Sequence, residues 1–205
     1  MLHALQSGAG PIADAVLRGM FAARKSVFVD LLRWDVPVID GRYEVDQFDD
    51  SEATYLILTD AGGEHLASAR LLPTTRPHLL DSFYAALCEE GPPRGEHVFE
   101  ITRFCLDRRL NTVARRAARD SLVTALVDHA LQHRIRAYSA IAEMAWFQQI
   151  LAFGWRCRPL GLPRVIDGSM LAALRIDIDA DTPALLAAAG IISPEAAAQR
   201  QRAAA

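Results

Sequence analysis

Short apolar segments of strand length alternate with helical patterns along this chain, and this alternation most restricts the folds open to it. Period-two patterns predict strands at residues 53–59, 65–72, 97–106, 136–142 and, around a turn, 164–177. Helical spacing predicts helices at residues 11–29, 83–87, from 111 onward, 144–153, 182–189 and 194–202. The order predicts an α/β fold in which helices flank a mixed sheet in three layers. The length of 205 residues predicts a single domain.

Turn residues predict how several strands are joined. Gly62-Gly63 links two adjacent strands as a hairpin, so these strands should be antiparallel. A second turn is predicted at Asp167-Gly168. In the central strand, 97–106, Glu100 and Arg103 should point to opposite faces unless a β-bulge intervenes.

Composition excludes several classes of protein. Hydrophobic residues make up 51% of the chain and the formal net charge is −3, which indicates a globular protein that does not bind nucleic acid. No apolar run approaches the roughly 18 residues of a membrane span, and the first ten residues lack a signal-peptide pattern. We therefore expect a cytoplasmic protein. Cys88, Cys105 and Cys157 are odd in number and have no C-x-x-C spacing, which predicts free thiols and no zinc site.

The segment from Arg24 to Asp49 carries more reactive side chains than a core segment needs. Arg24, Phe28 and Trp34 precede the acidic string EVDQFDD, and Pro37 and Gly41 between Trp34 and this string predict an irregular loop. Such a loop suits a cationic ligand, because aromatic faces attract cations by about 0.5–2 kcal/mol and carboxylates bind ammonium groups. Taken singly, Trp34 would be a core or hinge anchor and Asp49 part of a solvated turn.

Three charged side chains on predicted strands each allow two interpretations. Arg70 lies in an apolar strand, where it either reaches solvent at a sheet edge or pairs with the acidic loop. Glu100 and Arg103 lie close together on the central strand. They form either a structural ion pair or part of a catalytic site with a perturbed carboxyl pKa.

Five arginines crowd the start of the long helix that follows residue 111. Cations at a helix N-terminus oppose the helix dipole, so these side chains form either a solvated face or a site for a phosphate or an acidic partner. They are Arg108, Arg109, Arg115, Arg116 and Arg119.

Eight positions taken together closely resemble the signature of the acyl-homoserine lactone synthases, the LuxI-type autoinducer synthases. The matching residues are Arg24, Phe28, Trp34, Asp46, Asp49, Arg70 within SARLLPT, and Glu100 and Arg103 within FEITRF. The resemblance implies a fold like that of the GNAT acetyltransferases. The chain departs from ordinary GNAT enzymes in one respect, because the stretch LDRRLNTVARRAA has no glycine-rich phosphate loop.

The resemblance implies an acyltransferase that makes a quorum-sensing signal from S-adenosylmethionine and an acyl thioester, with release of methylthioadenosine. Glu100 is then the expected general base and Asp46 a rival base, since the substrate amine must lose a proton before it attacks. Arg24, Asp49, Arg70 and Arg103 are expected to organise the site, and Phe28 and Trp34 to enclose the sulfonium. We expect no cofactor and no metal, because S-adenosylmethionine is a substrate.

The acyl donor implied by the resemblance is an acyl carrier protein or coenzyme A, and the sequence leaves both open. The five arginines are the candidate docking patch for an acidic carrier. Candidates for the acyl pocket are Ala140, Met144, Trp146, Phe147 and Leu151. If Ala140 holds the position at which the family carries threonine for 3-oxo chains, an unsubstituted chain is favoured.

Two further expectations concern the ends of the chain, and two other functions remain open. Residues 1–50 are expected to close over the substrates, and residues 190–205 to form a C-terminal helix or tail. The alternative enzyme is a GNAT-like N-acyltransferase that uses acyl-CoA on another amine. A non-catalytic ligand-binding domain on the same scaffold would be indicated by an exposed, unpaired Glu100.

Overall fold

The computed structural model describes residues 1–6 and 11–192. The predicted helix 194–202 lies outside the described residues. The chain divides into two compact units, one of Met1–Leu71 with Arg103–Leu122 and one of Leu72–Thr102 with Val123–Ala205. We refer to them as the first and second units.

The first unit combines a helix with antiparallel strands. Strand β1 (Leu2–Gln6) precedes helix α1 (Pro11–Arg24), which continues as a π-helix over Lys25–Leu31. A small hairpin of β2 (Val38–Ile39) and β3 (Tyr43–Glu44) follows. Strand β4 (Thr54–Thr59) then pairs antiparallel with both β1 and β5 (His65–Pro73). Helix α1 contacts β3 and β4, which places the end of the helix beside the acidic segment.

The second unit is organised around strands that flank the long helix in sequence. Helix α2 (Leu79–Phe83) and a 3-10 turn (Ala85–Leu87) precede β6 (Val98–Leu106), and α3 (Thr112–His133) follows it. The first half of β6 pairs parallel with β7 (Ala137–Glu143). After α4 (Met144–Leu151) come β8 (Arg156–Pro159), β9 (Arg164–Ile166) and β10 (Ser169–Asp177), and β10 pairs antiparallel with β7, β8 and β9. Helix α5 (Thr182–Ala188) ends this series.

Most predicted elements are confirmed, because their signals are local. The Gly62-Gly63 turn joins antiparallel β4 and β5, and Asp167 and Gly168 form the turn between β9 and β10 with φ of 50° and 81°. The backbone N–H of Ala114 donates to Oδ1 of Asn111 at 2.9 Å, which caps α3 at the predicted start.

Three predicted elements differ in extent or type from the structure, and two strands were not predicted. The predicted loop after Trp34 contains the β2–β3 hairpin, whose turn uses left-handed backbone at Asp40 and Gly41 (φ 53° and 65°). The predicted helix 11–29 ends as a π-helix at Leu31. Where a helical turn is predicted at 83–87, the structure has the end of α2 (Leu79–Phe83) followed by the 3-10 turn at Ala85–Leu87. Strands β1 and β8 were not predicted, because both are short and gain their hydrogen bonds from distant partners.

The three cysteines are free, as predicted, with Cys88 and Cys105 buried and Cys157 half-buried. Among the described residues, no group of three or more histidine, cysteine, aspartate and glutamate side chains is arranged to hold a metal ion. Within the same residues, no helix has the length and apolar character needed to cross a membrane.

Candidate active site

The first unit contains a buried network of three guanidinium and three carboxylate groups. Its members are Arg24 at the end of α1, Arg70 in β5, Arg103 in β6, Glu44 in β3, and Asp46 and Asp49 in the turn after β3. The formal charges of these six groups cancel. Buried charges are tolerated only when they are paired and hydrogen-bonded, so the network requires all six partners.

Asp49 is the centre of this network. Arg24 binds it bidentately, with Nη1 and Nη2 each 2.8 Å from a carboxylate oxygen, and Nη1 of Arg70 lies 2.8 Å from Oδ1. The hydroxyl of Tyr55 and the backbone N–H of Asp46 also donate to Asp49, at 3.0 and 2.8 Å. Burial by itself raises the pKa of Asp49, but the bonds and charges of Arg24 and Arg70 outweigh burial and hold that pKa well below its ordinary value.

Arg24 and Arg70 are fixed as cations by the same contacts. Burial opposes the charged form of each guanidinium, but the hydrogen bonds and charges of the surrounding carboxylates raise both pKa values above the ordinary arginine value. The prediction that Arg70 pairs with the acidic loop is confirmed. Its alternative, an arginine that reaches solvent, is wrong because the side chain is fully buried.

Glu44 belongs to the network and was missed among the predicted site residues. Its carboxylate accepts a bond from Nε of Arg24 at 2.5 Å and bonds from Nε and Nη2 of Arg103 at 3.1 and 3.0 Å. One signal in the sequence could have identified it. Glu44 and Asp46 are two residues apart in an extended segment, which places both side chains on one side of the backbone.

Asp46 and Arg103 are the members of the network that remain partly accessible. The side chain of Asp46 is 11% exposed and that of Arg103 is 8% exposed. Asp46 accepts two bonds from Arg70, at 2.6 and 3.0 Å, and one from Nη2 of Arg103 at 2.8 Å. Both carboxylate oxygens of Asp46 are therefore bonded to guanidinium groups.

A stacked aromatic pair lies beside this accessible end. The rings of Phe28 and Trp34 are 4.7 Å apart and nearly parallel, at 12°. Cζ of Arg103 lies 5.7 Å from the Phe28 centroid and 5.8 Å from the Trp34 centroid, within cation–π range. Phe28 is buried, whereas Trp34 is 38% exposed.

The π-helix determines where these two aromatic residues lie. Its wider turn is closed by bonds from Leu32 N to Val27 O at 2.9 Å and from Trp34 N to Phe28 O at 2.8 Å. Arg33 follows with a φ of 61°, which ends the helix. Short π-helical segments are frequently found at functional sites, and here the segment joins Arg24 of the network to the aromatic pair.

Arg103 has left-handed backbone within strand β6. Its φ is 50°, and the pairing of β6 with β7 ends two residues earlier, at Ile101. A non-glycine residue in this region costs about 1–3 kcal/mol. The bonds from Arg103 to Glu44 and Asp46 offset that cost, and the break allows the Arg103 side chain to depart from the regular alternation of the strand.

Glu100, in the second unit, is held by backbone groups. Its two oxygens accept bonds from the backbone N–H groups of Leu79 and Leu80 at 2.8 and 2.9 Å, and the side chain is fully buried. Glu100 is therefore neither exposed nor unpaired, so the feature that would have indicated a non-catalytic domain is absent. Ser139 lies directly opposite Glu100 in the parallel pair of β6 and β7, so the two side chains share a face of the sheet. Among the described residues, Oγ of Ser139 has no hydrogen-bond partner.

The candidate acyl-pocket residues of the second unit differ in burial. Ala140 of β7 lies opposite Ile101 of β6 and Leu174 of β10, and its side chain is on the sheet face away from Ser139. Phe147 is buried, Met144 and Trp146 are half-buried, and Leu151 is 40% exposed. Ala140 and Phe147 are thus the most enclosed of the five candidates.

The predicted arginine patch lies in the first unit and is partly neutralised by two buried acids. Arg109 pairs with Asp107 at 2.7 Å, and Arg116 and Arg119 pair with Asp120 at 3.7 and 2.6 Å. Nη1 of Arg108 and Nη1 of Arg115 donate long hydrogen bonds of 3.4 Å to backbone oxygens. The patch therefore keeps a net positive charge.

Comparison of the sequence with known families identifies the family to which the chain is similar. The model of a family described as autoinducer synthase matches residues 12–185. An acyl-homoserine-lactone synthase of Ralstonia nicotianae is 34% identical over 190 residues, which cover 89% of this chain and 92% of the relative. An isovaleryl-homoserine lactone synthase of Bradyrhizobium diazoefficiens is 30% identical over 186 residues, which cover 89% of this chain and 82% of the relative.

Solved structures of acyl-homoserine lactone synthases have a fold similar to that of this chain. BjaI, a CoA-dependent acyl-homoserine lactone synthase solved with SAM and isopentyl-CoA, aligns with a TM-score of 0.82 at 29% identity, over 94% of this chain and 90% of its own. TofI, solved with an inhibitor and MTA, aligns with a TM-score of 0.77 at 31% identity, over 91% and 96% of the two chains. An acyl-CoA N-acyltransferase from Pseudomonas aeruginosa, at 15% identity and a TM-score of 0.56 over 85% of this chain and 98% of its own, is similar in fold alone.

Proposed function

Since this chain belongs to the autoinducer synthase family of acyl-homoserine-lactone synthases, we propose that the buried network of its first unit binds S-adenosylmethionine for that synthesis. The enzyme is an acyltransferase. It forms an N-acyl-L-homoserine lactone from S-adenosylmethionine and an acyl thioester, and it releases methylthioadenosine. We also propose that the reaction takes place in the cytoplasm.

Two bonds form and two break in this reaction. The α-amine of S-adenosylmethionine attacks the thioester carbonyl, and the thiol of the carrier leaves as the amide forms. The methionine carboxylate then attacks Cγ, and the bond from Cγ to the sulfonium sulfur breaks to release methylthioadenosine. The amine must lose a proton first, whereas the sulfonium is already an activated leaving group, so positioning suffices for the second step.

The partial exposure of Asp46 and Arg103 is the observation that supports the binding role. S-adenosylmethionine presents an ammonium, a carboxylate and a sulfonium within a few bonds of one another. Asp46 can accept bonds from the ammonium and Arg103 can donate to the carboxylate. Phe28 and Trp34 offer aromatic faces to the sulfonium, and the buried members of the network, Arg24 and Asp49, hold these groups in place.

Glu100 is the better candidate for the general base. Both carboxylate oxygens of Asp46 already accept hydrogen bonds from Arg70 and Arg103, which commits this side chain to the network. Glu100 accepts hydrogen bonds from the backbone N–H groups of Leu79 and Leu80. We therefore assign proton removal to Glu100, directly or through one water, and substrate binding to Asp46.

The residues beside Glu100 bear on the choice of acyl group. Ser139 shares a sheet face with Glu100 and has an unpartnered hydroxyl among the described residues, whereas Ala140 faces the other way. Ala140, Met144, Trp146, Phe147 and Leu151 remain the candidates for contact with the chain itself. The arginine patch that includes Arg108 and Arg115 would bind the acidic carrier protein or the phosphates of coenzyme A.

Mass spectrometry of the products tests this function. Purified protein with S-adenosylmethionine and a panel of acyl-CoA and acyl-carrier-protein thioesters should yield an acyl-homoserine lactone and an equal amount of methylthioadenosine. Glu100→Gln should lower kcat by about 10²–10⁴-fold, as expected for loss of a general base. The matched control is Glu96→Gln, because Glu96 is an exposed glutamate that immediately precedes the same strand.

Each outcome assigns a function. A lactone from the wild type and the control, but not from Glu100→Gln, supports the proposal. Full activity of Glu100→Gln with loss in Asp46→Asn would transfer the role of base to Asp46. An amide product without methylthioadenosine would identify the GNAT-like acyltransferase instead.

We also propose that the segment that carries Trp34 closes over S-adenosylmethionine, since a large substrate must enter and water must then be excluded. Amide hydrogen exchange of residues 24–50 should slow when S-adenosylmethionine is added. Unchanged exchange across this segment at saturating substrate would exclude closure.

A further inference from the structure

Tyr55 is a buried tyrosine whose hydroxyl points into the charged network. It lies in β4 opposite Arg70 of β5, and its side chain is almost fully buried. The hydroxyl donates to Oδ1 of Asp49 at 3.0 Å. Burial and the charge of Asp49 raise the pKa of Tyr55 above the ordinary tyrosine value, so the hydroxyl stays protonated and keeps donating.

The acceptor of this bond is shared with both buried arginines. Oδ1 of Asp49 also lies 2.8 Å from Nη1 of Arg24 and 2.8 Å from Nη1 of Arg70. These guanidinium groups belong to long, flexible side chains. The tyrosine ring is more rigid, since it has two side-chain torsions and packs edge-on against Phe21 at a centroid distance of 5.8 Å.

This arrangement gives the tyrosine a defined effect on the accessible end of the network. Tyr55 fixes the direction of the Asp49 carboxylate, and Asp49 fixes Arg70. Arg70 in turn holds Asp46 with bonds of 2.6 and 3.0 Å. A loose Arg70 would let Asp46 shift, and small displacements of a positioning group weaken binding of a substrate held by several contacts.

We propose that Tyr55 is a positioning residue for S-adenosylmethionine, acting through Asp49 and Arg70 on Asp46. This inference rests on the proposed function of the network. It extends that function to a residue outside the eight positions of the family signature discussed above, and it assigns to Tyr55 no contact with the reacting atoms.

The test is Tyr55→Phe, which removes one hydroxyl and leaves the packed ring. The matched control is Tyr138→Phe, because Tyr138 is also buried and its hydroxyl donates to the backbone oxygen of Leu126 at 3.0 Å, within the second unit. Both variants lose one buried hydrogen bond. Only Tyr55→Phe should raise KM and Kd for S-adenosylmethionine, by about three- to tenfold, with kcat changed less than about twofold.

The split between KM and kcat is a readout that general destabilisation would not reproduce, because a loss of folded protein lowers the apparent kcat as well. An unchanged Kd in Tyr55→Phe would overturn the proposal, and so would an equal rise of Kd in Tyr138→Phe. Calorimetry measures the binding of S-adenosylmethionine independently of turnover. A wild-type protein that binds S-adenosylmethionine but makes no lactone would contradict the proposed synthesis, whereas the Kd values of the two variants would still decide this inference.

Discussion

Replacement of Glu44 by glutamine should destabilise the protein more than its position in a two-residue strand suggests. The substitution keeps the size of the side chain but removes one of three negative charges in the network. Arg24 and Arg103 would then share the remaining carboxylates, Asp46 and Asp49, with Arg70. Three buried cations facing two anions leave one charge without compensation.

The structure gives the size of the effect. Removal of one partner from a buried ion pair costs about 3–5 kcal/mol, because the other charge stays buried. Glu44 is fully buried and bonds to two arginines, so this range applies. For a chain of 150–250 residues, each kcal/mol lowers Tm by about 2–4 °C, so the expected fall in Tm is about 6–20 °C.

Thermal and urea unfolding of Glu44→Gln would measure this change. Glu64→Gln is the matched control, because the side chain of Glu64 is 71% exposed and its pair with Arg109 is 3.5 Å long. Such surface pairs contribute about 0–1 kcal/mol. Combining Glu44→Gln with Arg103→Met should cost less than the two single substitutions together, since the double variant restores the charge balance. A Tm for Glu44→Gln within about 2 °C of wild type would refute the view that charge balance maintains the network.

Three other perturbations have effects that follow from the structure. The pKa of Asp49 is held low in the folded state, so the protein should lose stability as pH falls below about 4, where the unfolded chain takes up the proton, and Asp49→Asn should flatten this part of a urea-unfolding series. Burial lowers the pKa of His65 to about 4, so stability should also fall as pH decreases from about 6.5 to 4, and His65→Gln should remove that fall in the same series. Gly154→Ala should lower Tm, since φ is 91° and the new Cβ would lie 2.7 Å from Cβ of Ala189, whereas Gly41→Ala, with φ of 65° and no atom within 4 Å, should lower it less. A larger loss for Gly41→Ala would contradict the steric explanation.

The sequence predicted the strands and turns whose signals are local. Alternating apolar residues defined β4 and β5, and the glycine pair between them defined the turn. The π-helix gave no such signal. The segment Lys25–Leu31 is too short for its apolar pattern to distinguish a π-helix from an α-helix, so the pattern could indicate a helix but not its type.

The candidate site was predicted less completely than the strands, because its contacts join distant parts of the chain. Glu44 lies 20 residues from Arg24 and 59 from Arg103, and nothing near Glu44 indicates that it is buried. Charged residues in turns are usually solvated, so an isolated glutamate offers no reason to expect the opposite. The left-handed backbone of Arg103 was equally inaccessible to local reasoning, since its cost is offset by ion pairs that exist only in the folded unit.

The network also explains why so many of the signature positions are arginines. Arg24 donates from Nε to Glu44 and from both terminal nitrogens to Asp49, and Arg103 divides its donors between Glu44 and Asp46. A lysine has one ammonium group, which cannot bridge two carboxylates with this planar geometry. The charged signature residues of the first unit therefore direct most of their hydrogen bonds to one another, which leaves few of them for a substrate. Under the proposed function, their contribution to catalysis would be to fix the few accessible groups, Asp46 and Arg103 among them, before the substrate binds, so that little reorganisation is needed.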